Sequence, residues 1–169
     1  MSDIVVLTGP PGAGTDAAAD ILARRIPNGA VIDTALLQGM IAAGRRPPWD
    51  DGEEGGARRE LTVRNACALA ANLAAAGYTP IVCDLLTDRT AALYRTLLAP
   101  AAVTIVLLLP SFDAVDQRNA SRTPPVAAEG LRALYESQRR LSDFDHLLDT
   151  TSLNAAAVAE RLFEDVITP

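Results

Sequence analysis

Thr8-Gly9-Pro10-Pro11-Gly12-Ala13-Gly14-Thr15-Asp16 is the stretch on which the fold turns. The apolar run Ile4-Val5-Val6-Leu7 precedes it, and an alanine-rich amphipathic segment from Ala17 to Ile26 follows. A buried strand, a glycine-rich loop and a helix, in that order, make a cradle for an anion. The glycines let backbone N–H groups converge, and the helix points its positive end at the same spot.

The full form of such a cradle, G-x-x-x-x-G-K-[ST], adds a cation and a magnesium-binding hydroxyl to the backbone. Gly9 and Gly14 hold the glycine positions, with Pro10, Pro11, Gly12 and Ala13 between them. Thr15 stands where the lysine belongs, and Asp16 stands where the hydroxyl belongs. The backbone half of the motif is kept and the side-chain half is gone. One positive charge is lost and one negative charge gained beside the anion. Asp16 offers in exchange a carboxylate oxygen that suits Mg²⁺.

Outward from the loop, strand and helix patterns alternate. Gly29–Asp33 reads as a second strand ending in a carboxylate, and residues 34–43 as a helix. Two prolines and four glycines mark residues 44–56 as a loop, which carries Arg45, Arg46, Asp50 and the only tryptophan, Trp49. Arg45 and Trp49 are candidates for substrate recognition. Residues 58–76 form a long predicted helix with Val63, Ala66, Cys67, Ala70, Leu73 and Gly77 on one stripe. Thr79–Leu85 is a third strand with Asp84 near its end, residues 89–98 are helical, and Val103–Leu109 is the most apolar strand. Ser111 caps a helix to Ala120, and residues 127–141 carry Leu131, Leu134, Tyr135, Gln138 and Leu141 on one face. A short strand at 146–149 and a closing helix at 154–166 complete the chain.

Such alternation implies one α/β domain over residues 1–169, with a parallel sheet covered by helices on both faces. Residues 3–8 are expected at its centre and residues 103–109 beside them. Ligands of these sheets sit outside the carboxyl ends of the strands. The glycine loop, Asp33 and Asp84 therefore fall along one edge.

At 169 residues and 49% hydrophobic content the chain can bury a sizeable core. A net charge of −6 argues against a nucleic-acid or acidic-membrane partner. No apolar run reaches the ~20 residues that span a bilayer, and the start of the chain does not read as a signal peptide. A cytoplasmic protein acting on a small molecule is expected, and a homodimer is left open. Cys67 and Cys83 read as buried thiols, and His146 as structural. The basic residues are all arginine, so an arginine must supply any cation the loop uses.

These residues give the chain a resemblance to the small P-loop kinases, above all to chloramphenicol-phosphotransferase-like and related actinobacterial kinase-like proteins often labelled AAA-family ATPases. The likeness rests on Gly9-Pro-Pro-Gly-Ala-Gly14, Asp33, Asp84, Arg118-x-x-x-Arg122 and Asp149-Thr150-Thr151. It implies a five-stranded parallel sheet of order 2-3-1-4-5, and phosphoryl transfer from ATP with Mg²⁺. Asp33 would then orient or deprotonate the acceptor hydroxyl. Arg118 and Arg122, in a lid region of about 118–140, would neutralise the transferred group. Asp84 would lie near magnesium or substrate, with Asp16 as a second metal ligand, and Arg64 would hold the substrate.

Two other readings stand beside this one. With both loop side chains replaced, the fold could be a pseudokinase or a repurposed module that no longer uses ATP. Gly12-Ala-Gly14-Thr-Asp-Ala17 also satisfies G-x-G-x-x-A, with Asp33 about 20 residues on, as a dinucleotide-binding fold requires.

Overall fold

The computed structural model describes residues 4–44, 46–47, 50 and 52–167. The elements follow in the order β1 (Ile4–Thr8), α1 (Thr15–Arg25), β2 (Gly29–Asp33), α2 (Thr34–Gly39), α3 (Glu53–Ala75), β3 (Thr79–Cys83), α4 (Asp88–Leu98), β4 (Val103–Leu108), α5 (Phe112–Ala120), α6 (Ala128–Arg140), β5 (His146–Leu148) and α7 (Ala155–Leu162). A π-helical turn, Phe163–Ile167, continues α7. The strands form one five-stranded sheet in the order β2-β3-β1-β4-β5, and every pairing is parallel. β1 is central with β4 beside it, as the sequence pattern predicts. The dinucleotide-binding order 3-2-1-4-5-6 is a different one.

Successive side chains of a strand point to opposite faces, so a buried parallel strand must be apolar on both. Ile4 and Val6 of β1 join one core with Val82, Ile105 and Leu107, covered by α3 and α4 through Val63, Ala66, Ala70, Ala91 and Tyr94. Val5 and Leu7 join the other with Ile81, Val106 and Leu108, covered by α1 and α7 through Ala18, Ala19, Leu22, Val158 and Leu162. Cys67 and Cys83 belong to opposite cores, and both are free thiols. α5 and α6 make a smaller core of Val115, Leu131 and Tyr135, with Phe112 meeting Tyr135 edge-on at 5.1 Å between ring centroids. Among the described residues no helix is long and apolar enough to cross a membrane.

β3 ends at Cys83, short of the expected Leu85, and two larger departures flank the 44–56 stretch. α2 stops at Gly39, short of residue 43. α3 starts at Glu53, inside the stretch expected to be loop to residue 56. The Gly55-Gly56 pair reads as a helix breaker. At Gly55, however, an added Cβ would lie 2.2 Å from the Asp50 carbonyl oxygen, so the residue is glycine because the preceding chain packs against the first helical turn. Glu53 and Glu54 place negative charge at the helix's positive end. Gly77, expected on the buried stripe, lies past the helix with φ +83°.

Candidate functional site

β1 ends at Thr8, and the chain turns at once into the glycine loop. A Cβ on Gly9 would lie 2.4 Å from the Leu108 carbonyl oxygen and 2.8 Å from the Ala13 side chain, so the loop passes too close to β4 for any other residue. Gly12 and Gly14 hold φ near 90°, which side-chain-bearing residues rarely adopt. The Ala13 amide donates to the Pro10 carbonyl (2.9 Å) and closes the turn. Gly14 then starts α1 without a side-chain cap. The first helical amides have no intrahelical acceptor. Thus the N–H groups of Gly14, Thr15, Asp16 and Ala17, all lining one cleft, face outward for a ligand.

Buried polar contacts hold the loop from below. The Thr8 hydroxyl donates to Gln138 Oε1 (2.7 Å), Gln138 Nε2 donates to the Leu86 carbonyl (2.8 Å), and the Leu86 amide donates to Thr8 Oγ1 (3.0 Å). This closed ring ties α6 and the β3–α4 connection to the end of β1. The sequence signal for it was Gln138, a lone amide on an otherwise apolar stripe.

The cleft over the loop encloses about 550 Å³ and draws Asp16, Asp33, Asp84, Arg118 and Arg122 to one place. Asp33 ends β2 and caps α2: its Oδ1 accepts from the Ala35 amide (2.8 Å). That bond fixes the carboxylate and leaves the second oxygen for a ligand. Asp84 is engaged more completely. Its Oδ1 accepts from the Leu85 amide (2.8 Å) and lies 2.9 Å from the Thr34 hydroxyl, and its Oδ2 accepts from Tyr94 Oη (2.8 Å). Burial raises the Asp84 carboxyl above the ordinary carboxylate range, while those donors and the Asp33 charge modify the shift. Asp84 also drives the Tyr94 hydroxyl further up, beyond the rise due to burial.

Asp16 keeps much of its surface open and accepts at Oδ1 from the Thr15 hydroxyl (3.3 Å). Partial desolvation raises its carboxyl first, and Asp33 raises it further. Thr15 and Arg122 pull the other way, and Asp20 adds a last upward push. Among the described residues no group of three or more His, Cys, Asp or Glu converges as a metal cage. Mg²⁺ needs no such cage, since one or two carboxylates and substrate phosphates hold it. Exposed Asp16 in the cleft offers such a carboxylate oxygen, whereas both oxygens of buried Asp84 are already engaged.

The two lid arginines differ. Arg118, in α5, donates from Nη1 to the Gly12 carbonyl (3.0 Å) and from Nη2 to the carbonyls of Thr150 (2.8 Å) and Thr151 (3.0 Å), so it clamps the glycine loop to the turn after β5. Thr150 completes the clamp by donating to the Ala13 carbonyl (3.2 Å). Arg122 lies past the end of α5 and is exposed at the cleft. The 120–125 loop carrying it is stapled at its base by buried Asn119, which donates to the Val126 carbonyl (2.8 Å) and accepts from the Val126 amide (2.9 Å).

Of the remaining expected residues, Arg64 lies on the exposed face of α3, away from the residues lining the cleft. Arg45 and Trp49 lie outside the described residues. A second cavity, of about 230 Å³, opens between α2 and the start of α3 and is lined by Arg46, Arg58 and Arg59 together with Thr62 and Ile41. The sequence reading passed over Arg58 and Arg59. Their signal was an adjacent arginine pair near the start of a long helix, about a turn and a half before Arg64.

No family model matches the chain, and no curated protein matches it in sequence. Solved structures do match its fold. The APS kinase of Mycobacterium tuberculosis, in complex with AMPPNP and APS, superposes with a TM-score of 0.78 at 17% identity, over 99% of this chain and 98% of that one. A sugar kinase from Janibacter sp. gives 0.71 at 18% identity, over 97% and 94%. The shikimate kinase of Acinetobacter baumannii, in complex with shikimate, gives 0.67 at 16% identity, over 98% and 93%. The chain has the fold of the P-loop small-molecule kinases.

Proposed function

We propose that this protein is a phosphotransferase that moves the terminal phosphoryl group of ATP to a hydroxyl of a small molecule, with nucleotide handling altered at Thr15 and Asp16. The observation that carries the reading is the pairing of outward-facing amides at Gly14–Ala17 with the half-free carboxylate of Asp33 across one cleft. Anion cradle and base are the two parts that transfer to a hydroxyl requires.

ATP with Mg²⁺ supplies the phosphoryl group and the counter-charge. The loop amides would hold the phosphates, Asp16 would hold the metal, and Arg122 in the lid segment 118–140 would cover the transferred group. Asp33 takes the acceptor's proton through its second oxygen as the acceptor oxygen bonds to phosphorus and ADP leaves. Arg118 contributes by holding the loop in shape. Asp33→Asn keeps the α2 cap and removes the base, so kcat for ADP release with an acceptor found among sugars and hydroxy acids should fall about 100-fold or more. Nucleotide affinity should stay unchanged. An unaltered kcat would remove Asp33 from the chemistry.

A second reading, a fold that binds without using ATP, has one specific support. The loop carries a carboxylate where a cation belongs, and Arg118 is occupied by carbonyls. Calorimetry with ATP separates the two: binding that requires Mg²⁺ supports the transferase, and no binding in either condition supports the repurposed module.

A further inference from the structure

We infer that Gln138 is a positioning residue of the glycine-loop cleft: through one buried amide it fixes the anion nest against the β3–α4 connection and against α6, and so sets how tightly the nest holds an anion. Its part in catalysis rests on the phosphotransferase reading, but the placement of the nest stands on the geometry alone.

Gln138 is wholly buried on α6, on the stripe of Leu131, Leu134 and Tyr135. An amide in such a place is unfavourable unless its polar atoms find partners. The Leu86 carbonyl can only accept, so the Gln138 amide nitrogen must face it (2.8 Å), and Oε1 is left to accept from the Thr8 hydroxyl (2.7 Å). The Thr8 oxygen then accepts from the Leu86 amide (3.0 Å). One orientation of the side chain satisfies all three bonds, and the flipped one would set two acceptors against each other at Leu86. A leucine at position 138 would fill the stripe without any desolvation. What the amide adds is a single allowed arrangement of three segments.

Each corner of the ring lies beside a residue of the cleft. Thr8 precedes Gly9, where the chain runs so close to β4 that a Cβ would lie 2.4 Å from the Leu108 carbonyl oxygen. Leu86 follows Asp84 and Leu85, and Leu134 stands one turn before Gln138; all three line the cleft. Tyr135 Oη donates to the Pro110 carbonyl (3.1 Å) and pins the same helix just past β4. The Leu134 wall is therefore fixed to the loop and is not a flap over it. With β4 leaving no slack on one side, a shift of Thr8 passes into the loop amides. Hydrogen bonds to an anion tolerate only a few tenths of an ångström, and a misplacement of ~1 Å can cost about 100-fold.

The test uses inorganic sulfate as the probe, read at the Gly12 and Gly14 amides of the full chain by ¹⁵N-resolved NMR. Thr8→Val removes the hydroxyl at nearly constant volume, Gln138→Leu removes the amide, and Thr8→Ser keeps the hydroxyl. Sulfate affinity should fall about tenfold or more in folded Thr8→Val and in folded Gln138→Leu, and no further in the double variant, because either change opens the same ring. Thr8→Ser should stay within about twofold of the unaltered protein. A ring that only stabilises the fold would lower the denaturant midpoint and leave sulfate affinity intact, and that result overturns the inference. So do losses that multiply in the double variant, or the absence of any sulfate shift in the unaltered protein.

Amide hydrogen exchange on the unaltered protein needs no variant to fold. The backbone amides of Leu86 and Gln138 should open as one unit, with protection within about tenfold of each other. A Leu86 amide that exchanges far faster overturns the inference. ADP with Mg²⁺ is titrated separately at Gly12 and Gly14. ADP binding with sulfate affinity indifferent to the ring sinks the role of Gln138 and leaves the transferase reading standing. Sulfate affinity that follows the ring, with no response to ADP, does the reverse.

Discussion

The glycine-loop cleft and the α2–α3 cavity carry their charge by opposite means. At the loop, the backbone does the work and the side chains oppose it: Gly9, Gly12 and Gly14 shape a nest of amides, while Asp16, Asp33 and Asp84 crowd the cleft with negative charge. At the α2–α3 cavity, side chains supply the positive charge and the backbone only positions them. A loop nest tolerates the loss of its lysine because its geometry comes from glycine torsions. The chain thus separates an acid-lined cleft over the glycine loop from an arginine-lined cavity beside it.

The strongest way to break this comparison is Gly9→Ala. The added methyl meets the Leu108 carbonyl at 2.4 Å, which is backbone and cannot rotate away. Relief requires moving the loop off β4, at a cost of about 3 kcal/mol measured by denaturant unfolding. Sulfate or ADP shifts at Gly12 and Gly14 should vanish, while the resonances of Gly55 and Thr62 at the cavity stay as they were. If both regions are disturbed together, they are one cooperative unit and the contrast is false.

A smaller effect sharpens it. Thr15→Lys with Asp16→Ser restores a cation and a hydroxyl to an unchanged backbone. ATP affinity should rise tenfold or more, about 1.4 kcal/mol, by calorimetry. The same double change should leave the cavity resonances of Gly55 and Thr62 alone. Tight metal-free ATP binding by the unaltered protein would mean that Arg122 already stands in for the lysine.

How much of this was legible in the sequence follows the same division. The loop and the position of Asp33 could be read because glycine spacing and strand ends are local features, whereas the sheet order followed only from the resemblance to the small P-loop kinases. The occupancy of Asp84 could not be read, because its partners Thr34 and Tyr94 come from other segments and only the fold brings them near. The clamping position of Arg118 was hidden for the same reason: its acceptors lie in the turn after β5. The early start of α3 at Glu53 was hidden in the same way. Gly55-Gly56 looks like the end of a loop when only local propensity is weighed, and the contact with the Asp50 carbonyl that makes Gly55 helical is tertiary.

The smallest expected effect concerns pH, and it falls on the loop alone. The Asp16 carboxyl is raised from its ordinary value by partial burial and by Asp33, against the opposing pull of Thr15 and Arg122, with Asp20 adding to the rise. A raised acid takes up its proton at a higher pH than a free aspartate. As pH falls, Asp16 therefore loses its charge before an ordinary carboxylate does, and its repulsion of a bare anion goes with it. Metal-free sulfate should bind the loop about fivefold more tightly once Asp16 is neutral, the effect of one nearby charge in a wet site being about 1 kcal/mol. Magnesium-dependent nucleotide binding should move in the opposite direction, because the metal needs the ionised oxygen. The sign for folding agrees with the first trend: an acid harder to ionise in the folded state favours that state as pH drops through its titration, and the advantage is lost as pH rises. Asp16→Asn should flatten the sulfate profile at Gly12 and Gly14 while leaving the cavity resonances of Gly55 and Thr62 unchanged. A sulfate profile that persists in Asp16→Asn would remove Asp16 as the charge that opposes the nest.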